Sequence, residues 1–513
     1  MKKNKKYGII DVGSNTVRLV IYQVNSQMVF SEEQNIKLPV RLYQYLDEER
    51  QLSEEGIDNL VRVLNLFQKI IENYSLESVV ATATAVIRQA KNRQEILATV
   101  KKATGLTLRL LSDEEEAYYG HYAIVRTTSY SEAYTVDMGG GSTEVTYFKK
   151  NKIVHSHSFP FGVVTLKQLF FEESENSDAL KRARKYVKEQ LATLDWLVPR
   201  EIPIIAIGGS SRNIATVHER MTEFPSVGIH QYRMVSDDLE DTLELFKGLT
   251  IAARQSLDGL SKDRADIIIP ANVTFLALMK QIEAPSFIFC NKGLREGLLM
   301  EQINQDHPGT FDPERVREVT IERFVATHQE NSNQTKKRVA IIQLLLAEIQ
   351  KKELLTPETE HFLPYIKYGS KLYHIGSAIE EDDSAFHSFY LVANSNLNGF
   401  THKERISLAL LASFKNKSLF KLFSQPFKSW FKEEELKYIR LAGSLIKFAE
   451  SLNVVNVNEI KAFELIEEKE RFTLKVDWSI DPIAEEYRAN RQKKHLENVI
   501  QKKVSIDFKK IKS

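Results

Sequence analysis

Ala133-Tyr134-Thr135-Val136-Asp137-Met138-Gly139-Gly140-Gly141-Ser142 runs straight into Thr143-Glu144-Val145-Thr146-Tyr147-Phe148. Both flanks are short and rich in β-branched and aromatic residues, which spells strand, tight turn, strand. The pattern also stands near the start of the chain, where Tyr7-Gly8-Ile9-Ile10-Asp11-Val12-Gly13-Ser14-Asn15 leads into Thr16 to Val24. A third glycine loop, Gly208-Gly209-Ser210-Ser211, follows the apolar run Ile202 to Ile207. Seven of the 21 glycines fall in these places, where backbone must approach something closely. The recurrence implies a duplicated α/β unit, not a short-period solenoid repeat.

Working outward, Ile57, Leu60, Leu64, Phe67 and Ile71 recur at helical spacing and predict a helix over 53–74. Val79–Ala83 and Leu106–Leu111 read as strands, with a helix from about Arg93 between them. Ser112 caps the helix that follows, and another lies near 178–197. The breaker cluster Asn304-Gln305-Asp306-His307-Pro308-Gly309 marks a boundary. Beyond it Val339, Ile342, Leu346 and Ile349 form one helical face, and Leu436 to Leu452 another. Phe472–Trp478 and Val504–Phe508 alternate like strands around a further helix, a small α+β tail. The expected domains are 1–126, 127–305, 306–457 and 458–513.

Composition narrows the function classes. The 513 residues are 42% hydrophobic and 27% charged, with a net charge of +1, which argues against a globally basic nucleic-acid binder. The single cysteine, in Phe287-Ile288-Phe289-Cys290, reads as core and excludes a disulfide scaffold. No apolar run approaches the roughly 18 residues of a membrane span. The basic start Met1 to Lys6 is soon followed by Asp11 and does not read as a signal peptide. The expected setting is the cytoplasm, with no membrane partner.

Gly-rich turns offer concave rows of backbone N–H groups to anions. An Asp beside each turn can hold a divalent cation against phosphate oxygens. No Gly-Lys-Ser/Thr follows any of these loops, so the chain is not a P-loop protein.

The strings Asp11-Val-Gly-Ser-Asn15, Ala83-Thr-Ala-Val-Ile-Arg88, Ser112-Asp-Glu-Glu-Glu116-Ala117, Asp137-Met-Gly-Gly-Gly-Ser-Thr-Glu144 and Leu294-Arg-Glu-Gly297 resemble the exopolyphosphatase / guanosine pentaphosphate phosphohydrolase family, in the family's order. That family belongs to the acetate and sugar kinase, heat-shock chaperone and actin superfamily. The resemblance covers about residues 7–300 with strong motifs and the remainder loosely. It implies two ribonuclease-H-like (actin-like) α/β domains, then a helical domain like a degenerate His-Asp domain and the small tail. It implies hydrolysis of a terminal phosphoanhydride. The general base falls on Glu116, with Glu115 next. Ser112-x-x-Glu115 is also a capping box, which accounts for Asp113, Glu114 and Glu115 without catalysis. Phosphate contacts fall on Asp11, Gly13, Ser14, Asn15, Arg88, Gly139, Gly140, Gly141, Ser142, Gly208, Gly209 and Ser210. Mg²⁺ falls to Asp137 and Glu144. A homodimer is a further family expectation.

The second half departs from the family. Leu372-Tyr373-His374-Ile375-Gly376 carries Tyr and His where His and Asp should stand, and downstream only His387 is kept. A metal centre needs several convergent ligands, so His374 and His387 read as ordinary helix residues. Residues 488–513 carry Arg488, Arg491, Lys493, Lys494, Lys502, Lys503, Lys509, Lys510 and Lys512 against Glu497 and Asp507. This excess reads as a solvated terminus or as a track for the far part of a polyanion. The expected function is an exopolyphosphatase acting on inorganic polyphosphate. The alternatives are guanosine pentaphosphate hydrolysis, a regulatory protein that binds a phosphorylated signal without turnover, and, on fold alone, a kinase.

Overall fold

Why the two Asp-x-Gly turns matter is visible in the strand order of two sheets. The computed structural model describes residues 4–226, 228–328, 332–354, 363–454, 460–469, 471–478 and 482–510. The readings of Met1–Lys3, of a boundary at 457–458 and of Lys512 lie outside the described residues. The chain divides into two compact units, Met1–Phe224 with Ile229–Val316, and Pro225–Gly228 with Arg317–Ser513.

In the first unit, β1 (Lys5–Val12), β2 (Val17–Val24), β3 (Phe30–Leu38), β4 (Ser78–Ala83) and β5 (Leu108–Leu110) are ordered β3-β2-β1-β4-β5. Strands β1, β2 and β3 pair antiparallel, while β4 and β5 join in parallel. The second sheet contains β6 (Glu132–Met138), β7 (Thr143–Lys149), β8 (Lys152–Phe159), β9 (Ile204–Ile207), β10 (Tyr232–Met234) and β11 (Phe287–Phe289), ordered β10-β11-β9-β6-β7-β8. From β8 to β11 it repeats the first sheet, with β10 added antiparallel at one edge. The fold is therefore the duplicated α/β unit that the turns announced.

Alternation along each strand sends side chains to both faces, and helices cover both. Ile10, Val12, Leu19 and Ile21 pack with Leu60, Leu64 and Phe67 of the helix Glu54–Ile71. On the other face Tyr7, Ile9, Val20 and Tyr22 meet Tyr119 and Tyr122 of the helix Asp113–Val125, and Leu299 and Ile303 of the helix Leu294–Asp306. Further along, Ile124 and Val125 pack on Ala133, Phe148 and Ile205 of the second sheet and on Cys290 just past β11. One helix thus touches both sheets, and its first turn carries the acidic cluster.

The second unit is helical, from Arg317 through the helix Glu433–Ser451, and ends in β12 (Ile460–Glu467), β13 (Arg471–Trp478), the helix Ile483–Ile500 and β14 (Lys503–Lys510). Leu465, Leu474, Val476 and Trp478 share one core with Leu408, Leu411, Ile446 and Phe448, so helices and tail sheet bury a common apolar face. His387 lies on the helix Ser384–Ala393, but His374 does not sit in a helix. It takes a left-handed φ of 60° in the turn after Leu363–Leu372, with Nδ1 3.2 Å from Ser384 Oγ. Burial and the charges of Arg338, Lys415 and Lys447 push its pKa down to about 4.

Candidate active site

Both Asp-x-Gly turns open into one cleft of about 590 Å³ in the first unit. Asp11 and Asp137 sit near the ends of the equivalent strands β1 and β6. Gly13 N–H donates to the Thr16 carbonyl and Gly139 N–H to the Ser142 carbonyl, each 2.9–3.0 Å, which closes each turn. The third loop starts the helix Gly209–Met221, whose N-terminal amides suit an anion. Gly208 has φ +92°, and a Cβ there would lie 2.5 Å from Asp137 Oδ1. The loop can approach the carboxylate this closely only as glycine.

Asp11, Gly13, Ser14, Asn15, Gly139, Gly140, Ser142, Gly208 and Gly209 all line the cleft, with Glu116, Asp137 and Glu144. Glu115, Arg88, Gly141 and Ser210 do not. Ser112 N–H donates to Glu115 Oε2 (2.9 Å), Glu115 N–H donates to Ser112 Oγ (3.2 Å), and Glu115 also pairs with Arg109. Glu115 is thus held in the cap, away from the cleft. Gly141 stands beside Ser14, and the Ser210 hydroxyl accepts from Arg264 Nη1 at 3.3 Å. Arg88 reaches the cleft through Glu116. Its guanidinium is shared between Glu116, Asp113 and the Leu111 carbonyl.

Glu116 has a side chain 14% exposed. Burial raises its pKa well above the carboxylate range, the Glu144 charge adds to this, and Arg88 opposes it. Asp137 is raised to about 6 by burial and by Asp11. Burial and Asp137 raise Glu144 as well, against hydrogen bonds from Ser142 and Ser158. Ser158 Oγ donates to Glu144 Oε1 at 3.0 Å. Asp137 and Glu144 are direct partners in the β6–β7 register, so both carboxylates stand on one face. Two buried carboxylates whose pKa values are raised by burial, with Asp11 adding to Asp137 and Asp137 to Glu144, gain from a cation. Mg²⁺ commonly takes one or two carboxylates and fills its shell with water and phosphate oxygens. The donor set fits that ion.

The cleft also holds a wall of cations that the sequence reading had not assigned: Arg18, Lys37, Arg212, Arg264 and Arg295. Arg18 is the β2 partner of Asp11, as Glu144 is the β7 partner of Asp137. The duplicated hairpin therefore carries a cation in one copy and an acid in the other. Arg295 Nη1 donates to Asp11 Oδ2 at 3.0 Å, and Glu296 accepts from Tyr22 Oη at 2.9 Å. Burial works against the charge on Arg295, but Glu296 and Asp11 hold it protonated. Asn15 Nδ2, Arg264 Nε and Arg295 Nε are buried donors without a protein partner among the described residues. Such donors are costly unless a ligand meets them, and an anion would.

A cleft between two ribonuclease-H-like sheets, with glycine turns, a carboxylate cluster and a cation wall, defines a phosphate-handling member of the actin-like class. The chain belongs to the Ppx/GppA phosphatase family. The family model matches residues 20–306, and the model of that family's domain III matches residues 316–482. It is 25% identical over 427 residues to the guanosine-5'-triphosphate,3'-diphosphate pyrophosphatase of Pseudoalteromonas translucida, covering 79% of this chain and 80% of that one. It is 25% identical over 311 residues to exopolyphosphatase 1 of Mycobacterium tuberculosis, covering 60% of this chain and 90% of that one. A bifunctional 3-dehydroquinate synthase/phosphatase of Fusobacterium nucleatum is also 25% identical, and there the match spans only 47% of the relative's length. The crystal structure of the Aquifex aeolicus family member superposes with a TM-score of 0.53 at 26% identity, over 60% of this chain and 99% of that one.

Proposed function

We propose that this chain is a phosphoanhydride hydrolase that releases terminal orthophosphate from inorganic polyphosphate. The observation that carries the reading is the convergence of Glu116 with both glycine turns and a wall of cations on one cleft. Phosphoryl transfer to water asks mainly for positioning and charge stabilisation. The turn amides and the amides at Gly208 and Gly209 receive the phosphate oxygens. Arg18, Arg264 and Arg295 offset the charge of the chain behind. Arg88, freed from Glu116 as substrate enters, presents a planar fork to the terminal phosphate. Glu116 then accepts a proton from the attacking water while the new P–O bond forms and the bond to the bridging oxygen breaks. Asp137 and Glu144 would hold Mg²⁺, which supplies charge neutralisation at phosphate oxygens.

Guanosine pentaphosphate presents the same terminal anhydride and is the second reading. The Pseudoalteromonas relative, matched over most of both chains, favours it. The protein is expected to work in the cytoplasm as a homodimer, which light scattering in solution checks. The deciding assay follows orthophosphate release with Mg²⁺ from long polyphosphate, guanosine pentaphosphate and ATP. Faster release from the nucleotide than from the polymer reverses the ranking. Tight binding without release from any of them returns the protein to the class of non-catalytic phosphate-signal binders.

A further inference from the structure

A small cavity of about 20 Å³ adjoins the cleft, sharing Glu116, Asp137 and Glu144 with it; Thr135 and Thr146 complete its polar lining, and Ala117, Ile207 and Leu294 its apolar lining. The register of β6 and β7 builds it. Thr135 faces Thr146, and two residues along each strand Asp137 faces Glu144. The four side chains therefore share one face of the hairpin, under the helix that carries Glu116. Thr135 and Thr146 are 6% and 1% exposed. Neither hydroxyl bonds to a protein group among the described residues, whereas Thr143 on the same hairpin bonds to the Phe161 carbonyl. Both residues line the pocket, so a partner for their hydroxyls has to come from what fills it.

A water needs roughly 10–15 Å³ of such space and two to four polar partners. The cavity meets both conditions. A water has two acceptor and two donor sites, and the lining supplies two hydroxyls to donate and the carboxyl oxygens of Glu116 and Glu144 to accept. We propose that the chamber binds one structural water that accepts from Thr135 and Thr146 and donates to the Glu116 and Glu144 carboxylates, and that the two threonines thereby position the general base. The inference rests on Glu116 being that base. Its use follows from the front of the site. Arg88 grips Glu116 in the free protein, and on the proposed function it turns to phosphate when substrate enters. The rear water is the contact that stays, and it separates two like-charged groups at the moment when Glu116 must keep its aim.

The test is Thr135→Val, Thr146→Val and the double variant. Valine keeps the branched shape and suits a strand, so the hairpin is retained, and circular dichroism verifies it. Loss of the bridging hydrogen bonds should lower kcat for orthophosphate release roughly fivefold to tenfold in the double variant. KM should stay within about twofold, because the threonines lie behind the acids and not against phosphate. Thr→Ser at both positions should restore most of kcat. High-resolution crystal structures should show ordered density in the chamber of the wild type and none in the double valine variant. A dry wild-type chamber overturns the site. Full kcat in a variant shown to lack the water overturns the positioning role. If the reading of Glu116 itself is wrong, Glu116→Gln stays active, which is a separate result.

Discussion

Glu115 and Glu116 are neighbours with different work. Glu115 gives its carboxylate to the Ser112 amide and to Arg109, while Glu116 lines the cleft with Asp137 and Glu144. Glu116→Gln keeps size and hydrogen bonding but removes basicity. It should lower kcat by about 10²–10⁴-fold and leave polyphosphate binding intact. Glu115→Gln should instead keep kcat and cost about 1 kcal/mol of stability through the weakened cap. Rate measurements and urea unfolding on the two variants separate the roles, and activity within threefold of wild type in Glu116→Gln would move the base elsewhere. Asp137→Asn and Glu144→Gln address the cation. Each should raise the Mg²⁺ concentration for half-maximal rate, and an unchanged value in both rejects them as ligands. The turns and the cap were legible in the sequence because they are local patterns, and the family resemblance singled out Glu116, Asp137 and Glu144, which line one cleft. The cation wall was not, since Lys37, Arg212 and Arg264 meet only through tertiary folding. Arg18 did leave a signal: it follows Asp11 at the spacing at which Glu144 follows Asp137.

At the scale of elements, the helix Asp113–Val125 is pinned on two sides. Gly297, in the helix Leu294–Asp306, lies so close that an added Cβ would stand 2.1 Å from the Tyr119 carbonyl oxygen. Gly297→Ala must therefore push the two helices apart. It should cost about 1–3 kcal/mol and lower the melting temperature together with activity, since both helices carry cleft residues. The same helix carries His121, 6% exposed, with Nε2 3.1 Å from the Asn151 carbonyl and its ring 4.9 Å from Phe148. Burial pushes its pKa down to about 4, from an ordinary 6.5. As pH falls the unfolded chain takes up this proton first, so the stability from a neutral His121 is complete above about pH 6.5. It is lost progressively toward pH 4, on the order of 3 kcal/mol. His121→Phe should flatten that part of the profile in urea unfolding, and parallel profiles would show that His121 does not contribute. Elements were legible where they are half-buried and periodic. Strands β3 and β8 escaped because they are edges. Phe30–Leu38 and Lys152–Phe159 are largely exposed, so neither shows the alternation that marks a strand with one buried face.

On the scale of the whole molecule, the net charge of +1 hides a local excess in the second unit. The helix Ile483–Ile500 and the strands β13 and β14 enclose an open groove of about 550 Å³, lined by Arg471, Arg491, Lys493, Lys494 and Lys503 against the single acid Glu497. Lys493 and Lys494 have no ion-pair partner among the described residues. Arg471 is bonded to Glu468 at 2.6 Å, and Lys503 lies 3.8 Å from Glu497. Lys502, by contrast, is paired with Glu467, packs on Phe472 and does not line the groove. A groove of this sign attracts a polyanion, and a long polyphosphate carries far more charge than a short one. Attraction of this kind releases counterions and falls steeply with salt. Replacing Arg491, Lys493 and Lys494 together by Gln should then raise KM for long polyphosphate severalfold and flatten its dependence on salt. Tripolyphosphate, confined to the cleft, should keep its KM, and kcat should be unchanged for both. The measurement is KM for the long and the short substrate across a series of KCl concentrations. Equal weakening of both would mean that the substitutions disturb the fold. No change in either would mean that the groove is a solvated face and that the distal phosphates are held elsewhere.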